Sequence, residues 1–199
     1  MGDQESIERV LSGDTDLFSN LVRKYQSRIF SLCMGFVHQK EDADDLSQEV
    51  FIKAYQSLRS YRGDASFSTW IYRIAINIAL NYVKNKSKKN IFQRIDDLMS
   101  STGKSNTLQT VSMDTADPEQ ILIDTQKREM VNNALNSLPE NQKIAIVLSK
   151  YDDLPQKEIA IIMNTTEGAV EALLQRAKVN LREKLSDLNK KNQNHRRKN

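Results

Sequence analysis

The sequence predicts an all-α protein built as two small helical domains joined by a flexible linker. Three observations carry this. Glycine (6) and proline (3) are scarce among 199 residues, so helices meet few breakers. Helical periodicity runs through two blocks separated by a Ser-, Thr-, Asn- and Lys-rich stretch. The apolar fraction of 39% suits two modest cores better than one large one.

In chain order, the first block spans about residues 7–85 and reads as four helices, interrupted at Gly13-Asp14, at residues 38–41 and at Arg62-Gly63-Asp64. The pattern then fades, with transient helix expected at most around residues 92–99. Asp117 reads as the cap of a new helix and Pro118 as its first residue. The resulting boundaries are a first domain over 1–86, a linker over 87–117, a second domain over 118–188 and a disordered basic tail over 189–199. The tail holds Lys190, Lys191, Arg196, Arg197 and Lys198 without an acid: either a solvated end or an auxiliary phosphate contact.

Composition removes several function classes. The lone Cys33 lies in an apolar run, which excludes an intrachain disulfide and points to a reducing, cytoplasmic setting. No apolar run reaches the ~20 residues of a membrane span, so no membrane insertion is expected. With two histidines and one distant cysteine there is no zinc-ligand spacing, and neither metal nor other cofactor is expected. A net charge of +3 is compatible with nucleic acid but does not argue for it alone.

Residues 138–185 carry the clearest motif. Ile159, Ala160, Ile162 and Met163 form one apolar face, Asn164-Thr165-Thr166 interrupts it, and Val170, Leu174, Ala177, Leu181 and Leu185 form the next. So short a break predicts a helix-turn-helix, with Ala160 allowing close approach and Thr166 capping the second helix. On that helix Arg176 projects opposite the core and suits a major groove, while Gln175 offers a bidentate contact to adenine. Glu171 either accepts from cytosine or pairs along the helix with Gln175 or Lys178. Taken singly, each of these side chains reads equally as a solvated face.

In the first block, residues 42–58 project Leu46, Val50, Ala54, Leu58 and Phe51 on one arc, with Asp42, Asp45, Glu49 and Ile52 on the other. That acidic stripe is either plain solvated surface or a docking face for a basic partner, Ile52 being its apolar anchor. On residues 70–84 the core positions are Ile71, Ile74, Ala75, Ile78 and Tyr82, while Arg73, Asn77, Asn81 and Lys84 form a polar strip beside Trp70. Arginine and lysine suit phosphates, asparagine suits a base edge, and an aromatic ring suits a base outside the duplex. The Gly-, Ser- and aromatic-containing loop at 61–68 has room for such a base; alternatively Phe67, Trp70 and Tyr72 are core.

These segments resemble the extracytoplasmic-function group of sigma factors, in the sigma-70 family of bacterial RNA polymerase. Asp42-Ala-Asp-Asp-Leu-Ser-Gln-Glu-Val-Phe51 is similar to the family's polymerase-docking segment. Phe67-Ser-Thr-Trp-Ile-Tyr-Arg-Ile-Ala75, with Asn77 and Asn81, is similar to the element that melts and reads the −10 box. Leu138-Pro139, the helix pair and Gln175-Arg176-Ala177-Lys178 are similar to the domain that reads the −35 box. The chain departs from the family's frequent residues at Glu171 and Leu173. The resemblance implies a non-enzymatic subunit that binds core polymerase at its clamp region through Asp42, Asp45, Leu46, Gln48, Glu49 and Ile52, with a further contact at the flap. It implies −10 contacts from Tyr61, Phe67, Ser68, Trp70, Arg73, Asn77, Asn81 and Lys84. It implies −35 contacts from Thr166, Glu171, Ala172, Gln175, Arg176 and Lys178. It also implies an anti-sigma factor as inhibitor, and a monomer when free or a 1:1 complex with a partner. The rival reading is a stand-alone helix-turn-helix regulator. A metal-dependent nuclease would want carboxylates converging from several elements, and Asp42, Asp44, Asp45 and Glu49 lie on one helix.

Overall fold

The computed structural model describes residues 2–99 and 118–196, with side chains described for 2–89, 92 and 125–186. Every regular element among them is helical: α1 (Asp3–Leu11), α2 (Phe18–Val37), α3 (Lys40–Ser57), α4 (Phe67–Met99), α5 (Pro118–Asn136), α6 (Glu140–Tyr151), α7 (Gln156–Met163) and α8 (Glu167–Arg196). The linker segment 100–117, with the expected cap at Asp117, and residues 197–199 of the tail lie outside the described residues.

The first domain is a bundle of α2, α3 and α4, with α1 laid on α2. Its core follows the helical period: Leu21, Tyr25, Ile29, Leu32, Cys33 and Phe36 of α2 are buried against Leu46, Val50 and Ala54 of α3 and Ile71, Ala75 and Ala79 of α4. Burial pushes the Cys33 thiol up to about 12, that of an inert core residue. α2 stops at His38, whose left-handed backbone (φ 61°) turns the chain into α3. Asp3 anchors α1, accepting from Tyr25 Oη at 2.6 Å and pairing with Lys24 at 2.5 Å.

In the second domain α5, α6 and α7 pack on α8. Ile144, Ala145, Val147 and Leu148 of α6, Ile159, Ala160 and Ile162 of α7, and Val170, Leu174 and Ala177 of α8 are buried together. The turn between α7 and α8 is made by Asn164 at φ 52°, with the Thr165 N–H returning to the Ala160 carbonyl at 2.9 Å.

Two features depart from the expected boundaries. α4 continues to Met99 and α8 to Arg196, well into the segments read as linker and tail. Periodicity reports burial rather than helicity, and residues 86–99 contain no glycine or proline to stop a helix once it has started. The domains also pack against each other: α2 meets α6, α4 meets α7, and their buried side chains form one contiguous cluster.

Candidate nucleic-acid and polymerase interfaces

On α3, Asp45, Gln48 and Glu49 are exposed, and Ile52 is 58% exposed on the same helix. Tyr55, which the sequence reading passed over, stands one turn beyond Ile52 and is also exposed, its ring edge-on to Phe18 at 5.1 Å. The outward face is thus acidic with two apolar side chains. Two expected members of it need correction. Leu46 is 3% exposed and holds α3 in the bundle instead of presenting a contact. Asp42 is half-buried and bonded to Lys86 of α4 at 2.6 Å. Burial opposes its charge, but the hydrogen bonds from Lys86 and Tyr82 outweigh it and hold the carboxyl below its ordinary range.

Ser66 starts α4: its Oγ accepts the Thr69 N–H at 3.2 Å and its carbonyl accepts the Trp70 N–H at 3.1 Å. The Ser68 hydroxyl lies 2.8 Å from that of Ser66. Before the cap, Tyr61 donates its hydroxyl to the Ala65 carbonyl at 2.8 Å and closes the loop through Gly63, whose φ of 78° suits glycine. Tyr61 and Trp70 are half-buried, with ring centroids 5.3 Å apart, and form an aromatic wall at the start of α4. Phe67 is the second correction of this kind: at 2% exposed it is the floor under that wall, packed on Tyr25, Tyr61 and Trp70, and it touches nothing outside. Tyr72 is buried as well.

Along α4, Asn81 is exposed. The other members of the polar strip face the second domain. Arg73 donates from Nε to the Ile162 carbonyl at 3.0 Å and from Nη2 to the Ile161 carbonyl at 2.7 Å. Asn77 lines a cavity of about 210 Å³ with Arg73, Ile76, Asn141, Ile144 and Ile162. Lys84 pairs with Glu140 at 2.7 Å, both partners largely exposed.

On α8, Thr166 Oγ1 accepts the Ala169 N–H at 3.2 Å and caps the helix as its position predicts. Glu171, Gln175, Arg176 and Lys178 are exposed, and Ala172 is half-buried between them and the core. These side chains give α8 an outward polar face on a packed helix, the arrangement a groove reader needs.

A further group lies between the domains and was invisible to the periodicity argument. Lys143 of α6 is 4% exposed and donates to the Phe36 carbonyl at 3.2 Å and to Asn136 Oδ1 at 2.7 Å. Burial lowers its amine to about 8. His38 is held down to about 4, by burial first and then by the Lys143 charge, and its Nε2 is buried with no hydrogen-bond partner. Tyr72 donates its hydroxyl to the Asp152 carboxylate across the same interface; burial raises both groups above their ordinary values. Gly35 on α2 lies so close to α6 that a Cβ would stand 2.6 Å from Val147 Cγ1 and 3.0 Å from the Tyr151 ring. Among the described residues there is no cluster of three or more His, Cys, Asp or Glu side chains fit for a metal, and no helix is long and apolar enough to cross a membrane.

Residues 21–89 match the Sigma-70 region 2 family and residues 128–181 the Sigma-70 region 4 family. The chain is 36% identical over 187 residues to the ECF RNA polymerase sigma-E factor of Escherichia coli (strain K12), covering 94% of this chain and 95% of that one. The chain belongs to the extracytoplasmic-function group of the sigma-70 family. It is therefore a DNA-binding, promoter-directed subunit of transcription initiation and not an enzyme. Among solved structures, its fold is similar to that of CnrH in complex with the cytosolic domain of CnrY, at a TM-score of 0.62 and 20% identity over 93% of this chain and 97% of that one. It is also similar to the sigma factor RpoE in complex with the anti-sigma factor NepR from Bartonella quintana, at a TM-score of 0.50 and 18% identity over 85% and 96%. The α3 and α4 surfaces of this sigma factor fall in region 2, and α7 and α8 in region 4.

Proposed function

We propose that this sigma factor docks on core polymerase through the outer face of α3, opens and holds the −10 element at the start of α4, and reads −35 duplex with α8. The observation that carries the reading is the pairing of two outward polar faces on packed helices, one in each family region: Asp45, Gln48, Glu49 and Ile52 on α3, and Gln175, Arg176 and Lys178 on α8. The acidic α3 face suits a basic protein partner, and Ile52 with Tyr55 adds apolar contact. At α4 the Tyr61–Trp70 wall suits a base that has left the duplex, and Ser68, Asn77 and Asn81 suit base edges and phosphates. Arg73 and Lys84 add phosphate contacts. Thr166 orders the first turn of α8, whose N–H groups suit a phosphate, while Arg176 and Gln175 suit base edges, with Glu171, Ala172 and Lys178 beside them. Stacking and base capture offset the few kcal/mol of unpairing, so the subunit needs no hydrolysis of its own. An anti-sigma factor, present in the complex of the related fold, is the expected inhibitor. The protein works in the cytoplasm, 1:1 with core.

The test is reconstitution with sigma-free core on a promoter library, with start-site mapping. Transcription from a restricted promoter set is the expected result. Tight duplex binding by the chain alone, with no stimulation of core, would replace this reading with that of a stand-alone regulator. Within the assay Glu49→Lys lowers core affinity by about tenfold, the scale of losing a favourable charged contact, whereas Asn81→Ala leaves core binding intact and weakens opening. Equal loss of core binding in both variants sinks the role assignments.

A further inference from the structure

The contact between α4 and α7 uses the side chains that the −10 strand would need. Arg73 spends Nε and Nη2 on the Ile161 and Ile162 carbonyls, the unpaired acceptors at the negative end of α7. Asn77 faces the interdomain cavity, and Lys84 is held by Glu140. We propose that the free chain rests in a closed, self-inhibited state, in which the first helix of the helix-turn-helix occupies the −10 face of α4 until the domains separate. This rests on the reading of α4 as the −10 element, and needs no inhibitory partner.

The rest of the interface supports a latch that opens. Its closest approach is at Gly35, where the absent side chain lets α2 and α6 meet at van der Waals distance. Around that point the contact is costly: Lys143 is buried without a carboxylate, satisfied by one carbonyl, one amide and the Phe36 ring at 5.3 Å, and His38 Nε2 has no partner. Tyr72 and Asp152 add a polar pair across the boundary. An interface with this many polar groups is rehydrated on opening, unlike a purely apolar one, so its separation stays within reach of core and promoter binding.

Two engineered forms of the full chain test this. In a Cys33→Ala background, Gly35→Cys with Val147→Cys links the domains on oxidation. The expected result is that the linked chain, mixed with core, loses tenfold or more of promoter opening and regains it with reductant. Equal activity of the linked and reduced chains overturns the proposal. Conversely, Gly35→Leu wedges α2 from α6, and Asp152→Ala is the milder variant should the wedge fail to fold. Each should enlarge the free chain in small-angle scattering and raise its binding to a promoter fragment with an unpaired −10 segment several-fold; a folded variant of wild-type size and affinity overturns the closed state. If wild-type chain starts no transcription with core, the sigma reading fails instead, and the scattering comparison still decides whether the chain is latched.

Discussion

Lys143 and His38 make the domain contact sensitive to pH, in a direction that follows from their burial. His38 is held down to about 4 while the contact is made and returns toward the ordinary 6.5 when the domains part. A separated chain therefore takes up a proton that the closed one refuses as pH falls through 6.5 toward 4, and closure is weakened in that window. At pH 5 the loss is about 2 kcal/mol, at 1.36 kcal/mol per unit. Lys143 acts in a higher window: with its amine lowered to about 8, closure gains as pH rises from 8 toward 10.5 and is indifferent to this group below 8. Small-angle scattering at pH 7.5 and pH 5 should find the chain larger at pH 5. His38→Asn, which tolerates the left-handed backbone at this position and does not titrate, should flatten the difference; an unchanged response would place the proton elsewhere. None of this was legible in the residues, since an isolated histidine after a helix and a lysine in an amphipathic helix acquire their environment only from the partner domain. Leu46 and Phe67 teach the converse. Their motif positions drew a contact reading, yet their apolar chemistry put them in the core, where they position Glu49 and Trp70. Gly35 did carry a signal: glycine inside a helix costs about 1 kcal/mol against alanine, so its presence in an apolar run asks for a close neighbour.

At the level of the helices, the pieces set by local chemistry were legible and those set by length were not. The short interruption at Asn164-Thr165-Thr166 gave the turn and the cap of α8 from sequence, because capping needs only a hydroxyl at the right offset and the left-handed residue favours asparagine. The Asp42 pairing with Lys86 was hidden because it joins α3 to α4 across 44 positions. The cap has a measurable consequence. Thr166→Ala removes the acceptor for the Ala169 N–H and should lower thermal stability by about 1 kcal/mol, whereas Thr166→Ser should keep most of it. Amide exchange should quicken in the first turn of α8, and −35 binding should weaken while core binding holds. Loss of stability equal in the two variants would mean that the methyl group, not the hydroxyl, matters there.

For the molecule as a whole, the all-α class and the two domains could be read from breaker scarcity and two periodic blocks, but their contact could not, because each apolar face looks complete within its own domain. Contact turns two binding modules into a coupled system. If only the separated state binds promoter, the affinity of the free chain is its intrinsic affinity reduced by the fraction open, and a ligand that separates the domains removes that penalty. Core polymerase engaging α3 and region 4 at two places is such a ligand. The wedge at Gly35 removes the same penalty by another route, so the two gains are not additive. Promoter binding by the free Gly35→Leu chain should thus exceed that of free wild type several-fold, while holoenzymes made from the two chains should bind with affinities within about twofold of each other. A fluorescence titration of both chains, with and without core, measures all four affinities. A wedge advantage that persists undiminished in holoenzyme would mean that Gly35 acts within its own domain, and that separation of α4 from α7 is not what core binding supplies.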